Sequence, residues 1–205
     1  MPDLDYPYFI TTELDPDLLT TPFKVRTNWH VITGAPSSGK TTLINLMNEK
    51  GFKTSPERAR QYIEMEVAKG HSLNEVQNDL ADLNRAIMAF TLNEELNLPP
   101  NDVLFLDRGV PDSLSYCRIV GINPNEFLID CLHRHYASVF ILERLPFHHD
   151  GIRYEDDAIA DFLHTWTMKD YSALSYNPIL VPVMSLEDRL KFVLENLSEN
   201  GLISL

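Results

Sequence analysis

Short runs of hydrophobic residues alternate along the chain with longer stretches in which apolar residues recur at helical spacing. The short runs lack a polar face and end at turn residues, so they predict buried strands. These strands lie at 29–33, 52–54, 102–107, 137–142 and 178–183. The longer stretches predict helices at 41–50, 57–69, 73–98, 110–120, 123–136, 157–176 and 186–197. Strands that alternate with helices in this way predict an α/β fold, with a parallel sheet covered by helices on both faces.

Residues 1–28 differ from the rest of the chain, because they are rich in Pro, Asp and Thr and show no hydrophobic period. We expect an N-terminal extension that lies on the surface or covers an edge of the sheet. Its anchors would be the apolar side chains of Tyr6, Tyr8, Phe9 and Ile10. The remaining residues, 29–205, are enough for one domain with a complete core.

Residues 34–41, between the first predicted strand and the first predicted helix, read G-x-x-x-x-G-K-T. This is the pattern of a phosphate-binding loop, and the strand before it and the helix after it are the context that such a loop requires. Gly34 and Gly39 allow backbone dihedrals that other residues resist, so the loop can wrap closely round an anion. Backbone N–H groups and the N-terminus of the following helix would face the phosphates. The motif predicts triphosphate binding and says nothing about a second substrate.

Lys40, Thr41 and Asp107 carry the chemistry that a bound triphosphate needs. Lys40 would place a positive charge near the bridge between the β- and γ-phosphates, and Thr41 would supply a hydroxyl ligand for Mg²⁺. Asp107 ends the apolar strand 102–107, where a second carboxylate can hold Mg²⁺ directly or through water. The alternative for Asp107 is a carboxylate that caps the next turn.

Glu57 and Arg108 are the candidate groups for a second substrate, since each follows a predicted strand. Ligands of open parallel sheets bind at the carboxyl ends of the strands. The forked guanidinium of Arg108 suits a phosphate or the charge that develops on a transferring phosphoryl group. The carboxylate of Glu57 could accept a proton from an acceptor hydroxyl, and Arg58 or Arg60 beside it could clamp an anionic group of the acceptor. Each has a structural alternative, which is a surface ion pair for Arg108 and an exposed helix start for Glu57.

The segment 143–156 is charged, contains glycine and carries Arg144 and Arg153. A loop with arginines can close over phosphates and exclude water, although a solvated surface loop is the alternative for either residue. His148, His149 and Asp150 lack a third ligand at metal-binding spacing, so we predict no metal site there.

The chain of 205 residues has a formal net charge of −13 and a sequence pI near 4.8. Such an acidic surface repels phosphate backbones, which argues against nucleic acid and anionic membranes as partners. Cys117 and Cys131 form no CxxC pair and no metal-binding spacing, and the N-terminus lacks a signal-peptide pattern. No apolar run reaches the length of a membrane span. These features favour a cytoplasmic location.

Several segments together resemble the NadR-kinase-like small P-loop ATPases of the "AAA domain" family. They are G-A-P-S-S-G-K-T-T-L-I, P-E-R-A-R-Q-Y-I, F-L-D-R-G-V-P-D-S-L-S-Y, D-G-I-R-Y-E-D and Y-N-P-I-L-V-P-V. The resemblance covers about residues 29–195 and is more specific than the phosphate loop alone. It also places the chain near nucleoside and nucleotide kinases, which carry an acid–arginine pair after the third strand and an arginine lid.

The resemblance implies a nucleoside-kinase-like P-loop NTPase fold with five parallel strands in the order 2-3-1-4-5, and ATP or GTP with Mg²⁺ as cofactors. It implies that Asp107 is the acid of the acid–arginine pair, that Glu57 lies near the position of a catalytic base, and that Arg144 and Arg153 belong to the lid. This sequence departs from the kinase pattern at Gly109, where many kinases carry Ser or Tyr. The residues that would cradle the phosphates are Gly34, Ala35, Pro36, Ser37, Ser38, Gly39, Lys40, Thr41 and Thr42.

We therefore expect a cytoplasmic phosphotransferase that moves the γ-phosphoryl group of ATP to a hydroxyl or phosphate of a small nucleoside- or nucleotide-like acceptor. Catalysis would combine positioning with neutralisation of charge by Lys40, Mg²⁺ and the arginines, and Glu57 or Asp107 would accept the proton. One alternative is a regulatory NTP-binding switch that hydrolyses slowly and binds a partner or a phosphoinositide. Another is a kinase that acts on nucleic acid. The sequence leaves the acceptor, the choice between ATP and GTP, and the oligomeric state open.

Overall fold

A computed structural model describes residues 9–144 and 154–202, with the side chains of all of them except 154–157. The strands are β1 (Val25–Arg26), β2 (Trp29–Thr33), β3 (Thr54–Ser55), β4 (Leu104–Asp107), β5 (Arg134–His135), β6 (Ser138–Leu142) and β7 (Ile179–Val181). The helices are α1 (Lys40–Glu49), α2 (Arg58–Ala68), α3 (Leu73–Val76), α4 (Leu80–Asn97), α5 (Asp112–Ile119), α6 (Leu128–Cys131), α7 (Tyr154–Ala173) and α8 (Leu186–Glu199). Short 3₁₀ turns lie at Leu18–Thr20 and Pro124–Phe127.

The main sheet has five parallel strands in the order β3-β4-β2-β6-β7. Numbered along the sequence, these strands stand in the order 2-3-1-4-5, so the predicted α/β architecture and its strand order are confirmed. The central strand β2 is buried at every position, as expected for a parallel sheet that helices cover on both faces. Its register aligns Ile32 with Asp107 on one side and with Phe140 on the other.

The two faces of the sheet form separate hydrophobic clusters, because side chains alternate along each strand. Ile32 and Phe105 point to one face, where they pack with Leu43 and Met47 of α1 and Val193 of α8. The opposite face holds Trp29 and Val31, which pack with Tyr136 and with Tyr171 of α7. These layers fix the carboxyl ends of β2 and β4 side by side. Among the described residues, we find no helix that is both long and apolar enough to cross a membrane.

The helix predicted for 73–98 is wrong as a single element, because it is divided into α3 and α4. The division falls at Asp79, whose side chain accepts hydrogen bonds from the amides of Ala81 and Asp82 and so begins a new helix. The predicted strand 52–54 is also displaced, since the pairing with β4 involves Thr54 and Ser55.

The predicted helix at 123–136 extends too far. It consists of a 3₁₀ turn and the short helix α6, and the chain then enters β5. In β5, Arg134 and His135 pair in parallel with Val25 and Arg26 of β1. This pairing joins segments far apart in the sequence, so local periodicity gave no sign of it.

The N-terminal extension reaches the core and is not confined to the surface, as far as the described residues show. Leu14 is buried and packs with Leu114 and Leu128. Phe9 contacts Phe162 edge-to-face at 4.9 Å between ring centroids, and the Ile10 amide donates to the Arg118 carbonyl. The other two predicted anchors, Tyr6 and Tyr8, lie outside the described residues.

A buried ion pair joins the extension, α5 and α7. The Arg118 guanidinium donates to both oxygens of Asp170, at 2.6 and 2.8 Å, and its Nε donates to the Thr12 carbonyl at 3.0 Å. Its Cζ also lies 4.0 Å from the centroid of the Trp166 ring. The pair therefore links three segments through one fully buried side chain.

Replacing Asp170 with asparagine should lower the free energy of unfolding by about 3–5 kcal/mol, because the Arg118 charge would remain buried without a counter-charge. Urea unfolding measures this as a lower midpoint with an unchanged slope. Glu195→Gln is a matched control in the exposed Lys191–Glu195 pair, which spans 3.7 Å, and should change stability by less than about 1 kcal/mol. Equal losses in the two variants would contradict the role assigned to the Arg118–Asp170 pair.

Candidate functional site

The phosphate-loop sequence forms a tight turn between β2 and α1. Gly34 and Gly39 have φ angles of 139° and 89°, which side chains other than hydrogen resist. A Cβ atom on Gly34 would lie 2.7 Å from the carbonyl oxygen of Leu142 in β6. The turn therefore needs glycine both for its dihedrals and for its close approach to β6. Helix α1 begins directly after it, so the unpaired amides of the first helical turn face the loop.

Lys40 is folded over this turn and is only 6% exposed. Its Nζ donates to the Ala35 carbonyl at 2.8 Å and lies 3.5 Å from the Ser38 hydroxyl. Burial, together with the positive charge of Arg108, lowers the pKa of Lys40 from 10.5 to about 7. Phosphate oxygens in the loop would favour the charged form of this amine. The geometry thus suits a lysine whose charge is matched by an anion.

Thr41 and Asp107 meet at the start of α1 and the end of β4. The Thr41 hydroxyl donates to Oδ2 of Asp107 at 2.8 Å. The other oxygen, Oδ1, is buried and has no hydrogen-bond partner. Burial and the nearby charge of Glu57 raise the pKa of Asp107, which is the expected effect on a carboxylate short of cations and donors.

The orphaned oxygen and the hydroxyl are hard donors of the kind that Mg²⁺ prefers. Among the described residues, no cluster of three His, Cys, Asp or Glu side chains could bind a metal on its own. The pair therefore fits Mg²⁺, which takes few protein ligands and completes its shell with phosphate oxygens and water.

Arg108 lies at the turn after β4 and joins two acids. Its Nε donates to Oε1 of Glu57 at 3.2 Å, and its Nη1 donates to Oδ1 of Asp112 at 3.1 Å. Its backbone has a φ of 70°, a strained value for a residue with a side chain. Such strain costs on the order of 1–3 kcal/mol and is typical of functional sites. Glu57 and Arg108, proposed from different parts of the sequence, are thus in direct contact.

Asp112 is a central residue of the site that the sequence does not single out, since it reads there only as part of a helix start. It accepts hydrogen bonds from the Gly109 amide at 3.0 Å and from the Tyr171 hydroxyl at 2.7 Å. The Thr33 hydroxyl also donates to it. The available signal was an acid one helical turn after Arg108.

Glu95 and Tyr136 hold the turn that follows β4 through hydrogen bonds with the Val110 amide. Both oxygens of Glu95 accept from the Tyr136 hydroxyl, at 3.0 and 2.9 Å, and Oε1 also accepts from the Val110 amide at 3.2 Å. A Cβ atom on Gly109 would lie 2.7 Å from that hydroxyl. Position 109 therefore requires glycine, because Tyr136 occupies the space that a side chain would need. This explains why the chain lacks the Ser or Tyr that many kinases carry at this position.

Stability should depend on the protonation of Glu95, because burial raises its pKa from 4.5 to about 7. The folded protein holds this proton more tightly than the unfolded chain. The resulting stability is complete below about pH 4.5 and is lost as the pH rises through about 7. Between about pH 5 and pH 8, the wild-type protein should lose about 2–3 kcal/mol more than Glu95→Gln.

Urea unfolding across this pH range measures the difference. The control is Glu64→Gln, which removes a carboxylate from the exposed side of α2 and should leave the wild-type slope unchanged. A Glu95→Gln variant with the wild-type pH slope would show that Glu95 is already ionised in the folded protein.

A cavity of about 240 Å³ opens between α2, α4 and α5 and reaches Asp107, which contacts Thr41 at the phosphate loop. Its polar end is lined by Glu57, Arg58, Asp107, Arg108 and Asp112. Its apolar wall includes Leu80, Leu83 and Ile87, from the stripe that the sequence left open between core and acceptor pocket. The structure thus brings three of the proposed catalytic residues, Glu57, Asp107 and Arg108, to one cavity.

Other proposed residues lie elsewhere. Arg144 is not part of the cavity lining, and its Nη1 donates to Asp161 of α7 at 2.7 Å. Arg153 lies outside the described residues, as do His148, His149 and Asp150. In the loop and α1, Pro36, Ser37 and Thr42 are exposed, whereas Ala35 and Ser38 are buried.

Arg189 is a second residue that the sequence reasoning missed. From α8, its Nη1 donates to the Ser38 carbonyl at 2.5 Å and its Nη2 donates to the Glu143 carbonyl at 3.2 Å. It therefore ties the phosphate loop to the end of β6. The signal in the sequence was an arginine beside Leu190 on the apolar face of the last helix.

A family model described as "AAA domain" matches residues 29–189. Among solved structures, NadR in complex with NR is similar, with a TM-score of 0.62 and 18% identity over 87% of this chain and 53% of that chain. NadR in complex with NAD and AMP-PNP has a TM-score of 0.62 and 16% identity over 87% and 51%. The chain thus spans about half the length of these NadR chains.

A third similar structure is deoxyadenosine kinase from M. mycoides with the products dCMP and dCDP bound. It has a TM-score of 0.55 and 12% identity over 83% of this chain and 99% of that chain. No curated protein matches the chain. At these identities the solved structures show only a shared fold, with a five-stranded parallel sheet in this chain.

Proposed function

Since the chain belongs to the AAA domain family, we propose that it is a Mg²⁺-dependent phosphotransferase. It moves the γ-phosphoryl group of ATP to a small nucleoside- or nucleotide-like acceptor. The observation that carries this proposal is the position of the cavity. Glu57, Asp107 and Arg108 line it, and Asp107 accepts a hydrogen bond from Thr41, the residue that follows Lys40 of the phosphate loop, at 2.8 Å.

Residues 34–42 bind the triphosphate, and Lys40 turns from the Ala35 carbonyl to the phosphate oxygens. Thr41 and Asp107 would hold Mg²⁺, which would neutralise phosphate charge. The complex of NadR with AMP-PNP supports ATP as the donor, whereas GTP would need only a different contact at the base. Arg189 keeps the loop in place through Ser38.

Glu57 is the proposed general base. Its Oε1 is held by Arg108 at 3.2 Å, so its Oε2 can accept the proton of an acceptor hydroxyl in the cavity. Arg108 places its charge where the phosphoryl group transfers, and two acids fix the orientation of its guanidinium. Most of the catalysis would then come from positioning and from charges arranged in advance.

Three further assignments extend this proposal. Arg144 and Arg153 would belong to a lid over the phosphates, and the chain would comprise an N-terminal extension, 1–28, and a P-loop kinase-like domain, 29–205. A cytoplasmic location is supported by Cys117 and Cys131, which are buried free thiols.

The experiment is a coupled assay of ADP release with Mg²⁺, ATP and a panel of nucleosides and nucleotides. At least one acceptor should raise the rate at least about tenfold above the basal ATPase rate, and Glu57→Gln should remove that stimulation. Glu64→Gln is the matched control and should behave as the wild-type protein. A protein that binds Mg²⁺ and ATP but hydrolyses slowly with every compound would instead be a regulatory NTP-binding switch.

A further inference from the structure

We propose that the acceptor cavity selects a molecule without a phosphate group, either neutral or cationic, and excludes nucleoside monophosphates. This inference rests on the proposed function and names the class of its second substrate. It follows from the balance of charge at the polar end of the cavity.

Arg108, the first of two guanidinium groups in the lining, is committed to acids of the protein. Glu57 and Asp112 accept from it at 3.2 and 3.1 Å, and its side chain is only 12% exposed. A phosphate that bound Arg108 from the acceptor side would have to displace one of these carboxylates, or lie beside both.

Arg58, the second guanidinium, is also engaged. Its Nη1 lies 3.3 Å from Oε2 of Glu94 and donates to Oε1 of Gln61 at 2.6 Å, and its side chain is 11% exposed. Glu94 extends from α4, so the ion pair joins the two helices that face each other across the cavity. The positive charge of Arg58 is therefore already paired with Glu94 before an acceptor enters the cavity.

Three carboxylates stand against these two arginines even when Asp107 is left to Mg²⁺. They are Glu57 and Asp112 of the lining and Glu94, which pairs with Arg58. Lys40 serves the phosphate loop and is not part of the lining. The charge of these five side chains is thus negative in sum. A dianionic phosphate would enter this field against repulsion, and the low dielectric strengthens that repulsion.

The same groups suit an unphosphorylated molecule. Carboxylates accept hydrogen bonds from hydroxyl groups, and Glu57 lines the cavity with its Oε2 outside the contact that Arg108 makes with Oε1. The lining also includes Leu80, Leu83 and Asn84. The Asn84 Nδ2 donates to the Cys117 Sγ at 3.1 Å, which leaves its Oδ1 to accept from the edge of a flat ring that the leucines cover. The volume of about 240 Å³ lies below the roughly 300–1,000 Å³ of sites for drug-sized ligands.

The test is calorimetric titration in the presence of saturating Mg²⁺ and AMP-PNP, which occupy the phosphate loop. The probes are adenosine, cytidine, guanosine, thymidine and nicotinamide riboside, each with its 5′-monophosphate. At least one nucleoside should bind at least about tenfold more tightly than its monophosphate. Glu94→Gln releases the charge of Arg58 and should narrow this ratio by about threefold or more, whereas Glu64→Gln on the exposed side of α2 should leave it unchanged.

The possible results separate this inference from the proposed function. A monophosphate that binds more tightly than its nucleoside, and is phosphorylated, overturns the inference and leaves phosphotransfer standing. Binding of AMP-PNP without binding of any probe contradicts both. Glu94→Gln with the wild-type ratio would show that the matched arginine is not what excludes phosphate.

Discussion

Replacing Lys40 with alanine should lower kcat/KM for phosphorylation of the acceptor by about 10³-fold. The amine is the cation nearest the phosphate loop, with its Nζ 2.8 Å from the Ala35 carbonyl inside the turn. Lys40 is the only charged side chain among residues 34–42, and the nearby Arg189 donates to the Ser38 and Glu143 carbonyls. Initial rates with a saturating nucleoside acceptor measure this loss.

The stability of this variant should not fall with its activity. Burial lowers the pKa of Lys40 in the folded protein from 10.5 to about 7. As the pH falls from 10.5 to about 7, the unfolded chain binds a proton that the folded protein does not hold, so Lys40 increasingly opposes folding. Thermal unfolding without nucleotide should therefore show an equal or higher midpoint for Lys40→Ala. The control is Lys50→Ala, at the exposed end of α1, which should keep both activity and stability. Wild-type turnover by Lys40→Ala would remove the basis of the site assignment.

Replacing Asp107 with asparagine should lower kcat/KM by about 10²-fold or more and raise the Mg²⁺ concentration needed for half-maximal rate. Asparagine preserves the shape and can still accept the Thr41 hydrogen bond of 2.8 Å. Asparagine lacks the negative charge that the Asp107 carboxylate, whose Oδ1 has no hydrogen-bond partner, would offer to a cation. Because burial raises the pKa of Asp107, removal of its charge should not destabilise the folded protein.

A titration of initial rate with Mg²⁺ at fixed ATP measures this effect. Asp102→Asn is the matched control, since Asp102 forms an exposed pair with Lys53 beyond the other end of the same strand. It should leave the Mg²⁺ dependence as in the wild-type protein. An Asp107→Asn variant with unchanged Mg²⁺ dependence would assign Asp107 to capping of the turn, which the sequence had left as its alternative.

The parts of the molecule that the sequence predicted are those set by contiguous residues. The hydrophobic runs located the strands of the main sheet, and the motif at residues 34–41 located the phosphate loop. Glu57 and Arg108 were proposed because each follows a strand, and the carboxyl ends of parallel strands meet at one edge of the sheet. The order of the strands came from the family resemblance and not from the pattern.

The parts that escaped prediction depend on contacts between distant segments. The pairing of β1 with β5 joins residues 25 and 134. It explains why the helix that local periodicity predicts for 123–136 ends before β5. Asp112 became central only because Thr33 and Tyr171 reach it from β2 and α7. Arg189 contacts Ser38 across 151 positions of sequence. Such residues look ordinary in sequence, since their role is decided by tertiary packing.

A crystal structure with Mg²⁺ and AMP-PNP would test nucleotide binding at residues 34–41 most directly. We expect the triphosphate in this turn, Lys40 within hydrogen-bond distance of the terminal phosphate, and Mg²⁺ next to Thr41 and Asp107. The terminal phosphate should face the cavity lined by Glu57 and Arg108. Nucleotide bound elsewhere, with Lys40 still bonded to the Ala35 carbonyl, would contradict it.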